Sequence, residues 1–218
     1  MWIKICGIKD ADMARRAASA GASAIGLNFF TRSKRATDLE HAREISEAVR
    51  GQVELVGLFV NHALTEVVET ARAVQLDRIQ LHGDEPVSFL KQLQSELPTM
   101  QLIKAFRVGE DGMQELAACI DECQREEIRL SAILIDAAVV GEFGGTGHVA
   151  PWEIVAKEYD RGHWPPLILA GGLTVDNVHD AIEAVAPWGI DTASGVESSP
   201  GVKDPDMIAA FIEAANGQ

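Results

Sequence analysis

The sequence predicts a single (β/α)8 TIM barrel over residues 1–218. Three observations point to it. Short apolar runs rich in β-branched residues alternate about eight times with longer segments of helical period. No glycine-rich dinucleotide fingerprint follows the first run, which counts against an open doubly wound sheet built from the same units. No linker-like stretch divides the chain, and the candidate functional residues fall at the ends of many runs. The barrel is lean beside the ~250 residues typical of the fold.

The strand runs are residues 3–6, 24–28, 53–60, 78–81, 102–105, 132–136, 167–170 and 189–192. Helices are expected over 11–20, 39–49, 64–73, 87–97 and 175–185, and the charged segment 109–130 reads as an extended surface helix. Thr37 and Glu40 have capping-box spacing. Thr174 is a further cap candidate. Asp204 before Pro205 reads as an N-cap with proline in the first helical position.

Composition narrows the function. The 19 Lys and Arg against 33 Asp and Glu give a net charge of −14. That balance argues against nucleic acid and anionic membrane surfaces, which attract basic proteins. No apolar run reaches the ~18 residues of a membrane span, and the first residues do not form a signal peptide. Cys6, Cys119 and Cys123 make no even disulfide framework, so a reducing cytoplasm is expected. The acidic surface favours a monomer over a dimer.

In a barrel, chemistry collects where strands end. Alternation turns Ile3 and Ile5 toward the helices and Lys4 and Cys6 toward the interior. Cys6 is either a rim base helped by Lys4 or a small buried hydrophobe. Asp136 closes the apolar run Ile133-Leu134-Ile135, where it is a general acid or a loop-bracing cap. The glycine-dense stretch 141–147 is a mobile lid or a connector. Gly171 and Gly172 follow the seventh run, and Ser194 and Gly195 follow the eighth. Each pair sits between a strand and an expected helix start, where outward amides hold an anion without lysine. Arg35, His82, Lys104 and Arg107 are rim candidates, and Arg35 has the fork shape for a carboxylate. Cys119 and Cys123 lack the two further ligands of a zinc site and read as structural.

Six segments resemble the phosphoribosylanthranilate isomerase family, in order over nearly the whole chain. They are Lys4-Ile5-Cys6-Gly7-Ile8, Gln80-Leu81-His82-Gly83-Asp84-Glu85, Ile103-Lys104-Ala105-Phe106-Arg107, Leu134-Ile135-Asp136 with Gly144-Gly145-Thr146-Gly147, Leu169-Ala170-Gly171-Gly172-Leu173, and Ser194-Gly195-Val196-Glu197-Ser198-Ser199-Pro200-Gly201. The resemblance implies an Amadori rearrangement of a phosphosugar carrying an anthranilate group, in tryptophan biosynthesis, with no cofactor and no metal. It makes Asp136 the general acid and Cys6 the general base, on opposed strands. It gives the anthranilate carboxylate to Arg35 and the phosphate to the amides near Gly171, Gly172, Ser194 and Gly195. His82 and Asp191 join the substrate-binding set, and barrel closure would bring Asp191 beside Lys4. The family usually has Ser-Pro-Arg where this chain has Ser33-Lys34-Arg35, and losing the proline is expected to loosen that loop.

Three alternatives differ in what they need. A ribulose-phosphate epimerase would need metal-binding histidines, and only His82 of the six sits at a strand end. Indole-glycerol-phosphate synthase would need a lysine acid and an N-terminal extension. A regulatory sugar-phosphate binder has no use for Cys6 together with Asp136.

Overall fold

Eight runs of alternating side chains bury both faces, and leave no sheet edge, by closing on themselves inside a ring of helices. The computed structural model describes residues 1–108, 113–136 and 151–217. The strands β1 (Trp2–Cys6), β2 (Ala24–Asn28), β3 (Glu54–Phe59), β4 (Arg78–Leu81), β5 (Gln101–Arg107), β6 (Leu130–Asp136), β7 (Leu167–Ala170) and β8 (Gly189–Thr192) form a closed barrel in sequence order. All neighbours are parallel, and β1 pairs with both β2 and β8. Around this ring β7 and β8 lie between β6 and β1, so the strands of Asp136 and Cys6 stand three places apart, one short of diametric.

The helices are α1 (Ala11–Ser19), α2 (Leu39–Val49), α3 (Leu64–Val74), α4 (Val87–Glu96), α5 (Gln114–Arg125), α6 (Pro151–Glu158), α7 (Val178–Val185) and α8 (Pro205–Ala215). Ile3, Ile5, Ile25, Leu27, Ile79 and Leu81 belong to the layer shared with these helices. A second, smaller core fills the barrel with Ala24, Val56, Ile103, Ala105, Ala132, Leu134, Ile168 and Ala170. The alternation read from sequence is thus the division between two cores.

Local starts differ from expectation in two places. Asp38, not Thr37, caps α2, accepting from the amide of His41 at 2.9 Å. The carboxylate one position on reaches the free amide, and Thr37 Oγ1 is buried with no hydrogen-bond partner among the described residues. Helix α7 begins at Val178 rather than Val175, because Asn177 folds back to accept from the amide of Thr174 at 2.8 Å. Asp204 caps α8 through the amides of Asp206 and Met207, with Pro205 first in the helix. Of the surface helix expected over 109–130, residues 109–112 lie outside the described residues; the rest holds α5, which ends at Arg125 and buries Leu116, Ile120 and Cys123, and β6 starts already at Leu130. A small antiparallel pair, β9 (Glu197–Ser199) and β10 (Val202–Lys203), was not anticipated.

The lower mouth of the barrel is closed by a side-chain cluster. Arg78 makes a two-point contact with Glu54, at 2.8 and 3.0 Å, and its guanidinium lies over the rings of Trp2 and Trp188. The two indoles stack with centroids 5.3 Å apart, and Trp2 Nε1 donates to Glu54 at 2.9 Å.

Candidate active site

At the upper mouth, β1 ends in Lys4 and Cys6, both buried in the interior. Strand register sets Lys4 opposite Asp191 on β8, and Lys4 Nζ lies 2.9 Å from Asp191 Oδ1. Both atoms are buried, and the two partner each other. Charge attraction and a hydrogen bond both favour the ionised pair, charge being the larger. Burial alone would discharge Lys4, but Asp191 and then Cys6 outweigh it and push its pKa up. Burial pushes the Cys6 thiol up, and the ammonium of Lys4 opposes it.

Asp136 ends β6, and His82 reaches toward it from beyond β4, with Nε2 3.9 Å from Oδ2. Burial lowers the pKa of His82, favouring the neutral ring. Its other nitrogen, Nδ1, lies 2.9 Å from Gln80 Nε2 on the fully buried Gln80. An amide nitrogen can only donate, so Nδ1 accepts and Nε2 carries the proton toward Asp136. Reversing the amide would leave two buried N–H groups unpaired instead of one buried oxygen, which is the costlier arrangement.

The loop after β2 holds Arg35 without a proline. Ser33 Oγ accepts from Asn28 Nδ2 at 3.2 Å and from the amide of Arg35 at 3.1 Å, while Asn28 Oδ1 accepts from the amide of Phe30 at 2.9 Å. These side chains tie the loop that sequence reading expected to be loose. Arg35 itself forks onto Glu197, with Nε at 2.6 Å and Nη2 at 2.8 Å.

The two glycine loops meet. Gly171 and Gly172 take positive φ, of 93° and 66°, a turn that only glycine adopts freely. Asn177 Nδ2 donates to the carbonyl of Gly172 at 3.0 Å, and Thr192 Oγ1 donates to that of Leu173 at 2.8 Å. A Cβ on Gly195 would lie 1.9 Å from the Leu173 carbonyl oxygen, so only glycine lets the loops after β7 and β8 touch. The amides of Gly172 and Ser194 donate to no other described residue.

A family model described as N-(5'phosphoribosyl)anthranilate (PRA) isomerase matches residues 3–214. The chain belongs to this family. An N-(5'-phosphoribosyl)anthranilate isomerase from Geotalea uraniireducens is 42% identical over 99% of this chain and 98% of its own. One from Roseiflexus castenholzii is 43% identical, over 99% of this chain and 98% of its own. The crystal structure of phosphoribosyl anthranilate isomerase from Thermotoga maritima superposes with a TM-score of 0.85 at 34% identity, covering all of both chains. A second solved phosphoribosyl anthranilate isomerase, in complex with reduced 1-(o-carboxyphenylamino)-1-deoxyribulose 5-phosphate, has a TM-score of 0.83 at 32% identity over all of both chains.

Within this family member the structure brings most of the sequence candidates to one mouth. Cys6, Lys4 and Asp191 form one cluster, and Asp136 and His82 a second. Gly171, Gly172, Ser194 and Gly195 line the meeting point of the loops after β7 and β8, the strands that run between the two clusters. Lys104 does not join them. It is buried, donating to the carbonyl of Gly83 at 2.7 Å and contacting Glu85 at 3.3 Å, so it braces the loop after β4. Arg107 pairs in register with Asp136 and is exposed. The stretch 141–147 lies outside the described residues. A cavity of about 590 Å³ opens beside the mouth, between His82, Phe106 and Cys119, and is not lined by Cys6, Asp136 or Arg35. Among the described residues no helix is long and apolar enough to cross a membrane, and no three His, Cys, Asp or Glu are grouped to hold a metal ion.

Sequence reasoning missed Gln80 and gave Glu197 and Lys203 no role. Gln80 shares the interior face with His82 two positions on, and that spacing was the available signal. Lys4→Met is expected to lower stability by about 3–5 kcal/mol, because it leaves the Asp191 charge buried and unpaired. The double variant Lys4→Met/Asp191→Leu should recover most of that loss. Urea midpoints of the three proteins check both expectations.

Proposed function

We propose that this barrel catalyses the rearrangement of N-(5'-phosphoribosyl)anthranilate to 1-(2-carboxyphenylamino)-1-deoxyribulose 5-phosphate, with Asp136 as acid and Cys6 as base. Asp136 protonates the furanose ring oxygen. The C1–O bond breaks onto that oxygen, and the anilino nitrogen forms the C1=N iminium. Cys6, as thiolate, removes the proton on C2. The electron pair closes the C1–C2 double bond as the C1=N π pair returns to nitrogen, and ketonisation of this enolamine, with the C2 hydroxyl losing its proton and C1 gaining one, gives the aminoketose. One proton is given and one taken, so the reaction needs no redox partner.

The observation that supports this reading is positional. The acid ends β6, the base ends β1, and the two strands between them carry the glycine loops. A phosphate held there would leave the sugar between thiol and carboxyl. The neutral His82 offers Nε2–H beside Asp136, fit to receive a sugar hydroxyl or steady the carboxylate. The spare edge of the Arg35 guanidinium takes the anthranilate carboxylate.

Turnover of N-(5'-phosphoribosyl)anthranilate by the purified protein with EDTA tests the reading. Consumption of substrate in the chelator is the expected result. Binding without turnover would favour a regulatory binder, and turnover only after metal is restored would remove Cys6 from the mechanism. For the phosphate, Gly195→Ala should raise KM roughly 10–100-fold by pushing the two loops apart, since a lost charged hydrogen bond is worth about 1.5–3 kcal/mol. Steady-state kinetics at several substrate concentrations would separate that rise from any change in kcat.

A further inference from the structure

Glu197 stands in β9, just past the loop after β8, with its side chain 2% exposed. Both of its oxygens are fully used. Oε1 accepts from Arg35 Nε at 2.6 Å and Lys203 Nζ at 2.9 Å. Oε2 accepts from Arg35 Nη2 at 2.8 Å and the amide of Gly201 at 3.1 Å. Burial pushes this carboxyl up, but the hydrogen bonds from Arg35 and Lys203 prevail and hold it at about 2.

The partners of Glu197 lead in two directions. Lys203 also donates to the carbonyl of Ala193 at 2.7 Å, directly before Ser194. Arg35 lies across Gly7, where a Cβ would come within 2.9 Å of the arginine Cβ and Cδ. A guanidinium presents two bidentate edges in one rigid plane. Glu197 occupies the Nε–Nη2 edge, and Nη1 makes no hydrogen bond among the described residues. Fixing the first edge aims the second.

We infer that Glu197 is a positioning residue that registers both ends of the substrate from one carboxylate. It aims the second edge of Arg35 at the aryl carboxylate, and through Lys203 and the Ala193 carbonyl it holds the loop at the phosphate end. The inference rests on the reading that Arg35 takes the carboxylate. Its consequence is that selectivity for a carboxylated arylamine depends on a residue that does not touch it.

The test compares N-(5'-phosphoribosyl)anthranilate with its decarboxylated counterpart, N-(5'-phosphoribosyl)aniline, on wild type, Glu197→Gln and Arg35→Met. The amide of Glu197→Gln keeps the shape but turns an N–H against donors, so the fork opens. The ratio of kcat/KM for the two substrates should fall at least tenfold in Glu197→Gln, mostly through KM for the carboxylated substrate. Glu197→Asp, which keeps the charge on a shorter stem, should give an intermediate ratio, and it serves if the amide variant does not fold. Equal losses on both substrates, with the ratio unchanged, would overturn the inference and leave Glu197 a structural ion-pair partner. A ratio unchanged in Arg35→Met would overturn the carboxylate assignment itself, whatever Glu197→Gln does.

Discussion

Asp136→Asn is expected to lower kcat by about 10²–10⁴-fold, the usual worth of a positioned general acid. The substitution is close to isosteric. It keeps an oxygen and a nitrogen where the carboxyl had two oxygens, so substrate can still bind and KM should change little. What it removes is an acidic proton for the ring oxygen. Without it the furanose must expel an alkoxide, and the iminium forms slowly. Asp136 is about one-third exposed at a strand end, so the fold should survive the change. Far-ultraviolet circular dichroism and the melting temperature check that, and single-turnover rates check the chemistry. Activity within tenfold of wild type would remove Asp136 as the acid.

Cys6→Ser should cost a similar factor for a different reason. A base must first lose its own proton, and a thiol has an ordinary pKa of about 8.5, far below that of a serine hydroxyl. Burial pushes the Cys6 value up, with Lys4 opposing, so only a small share of the enzyme carries the thiolate near neutrality. In the Asp136→Asn background no acid titrates against the thiol, and the thiolate is the active form, so the residual kcat/KM should climb with pH through the neutral range. That climb should vanish when Cys6→Ser is added. A flat profile between pH 6 and 8 in Asp136→Asn, or a Cys6→Ser variant near wild-type rate, would take Cys6 out of the reaction.

Much of this architecture was legible because the barrel obeys local rules. The runs ending in Cys6, Asp136 and Ala170 are β-branched, apolar and alternating, so strand, face and rim position follow from a few neighbouring residues. The pairing of Lys4 with Asp191 was legible too, since closure puts the first and last strands side by side. The Arg35–Glu197 fork was not, because 162 residues separate the partners and only the closed ring brings them together. The pair β9–β10 is too short and polar to show any period. The cap of α2 failed for a closer reason: Thr37 and Asp38 are both good capping residues, and one backbone turn decides between them.

The cluster of Trp2, Trp188, Glu54 and Arg78 lies at the end of the barrel away from the chemistry. Trp2 opens β1, and Trp188 directly precedes β8. Their stack therefore straddles the seam where the chain's beginning meets its end. This gives the molecule a built-in optical gauge of ring closure. With the other two tryptophans, Trp152 and Trp164, replaced, an emission change on joining of the two indoles reports the seam, and variants at Cys6 or Asp136 can be scored for assembly without any substrate.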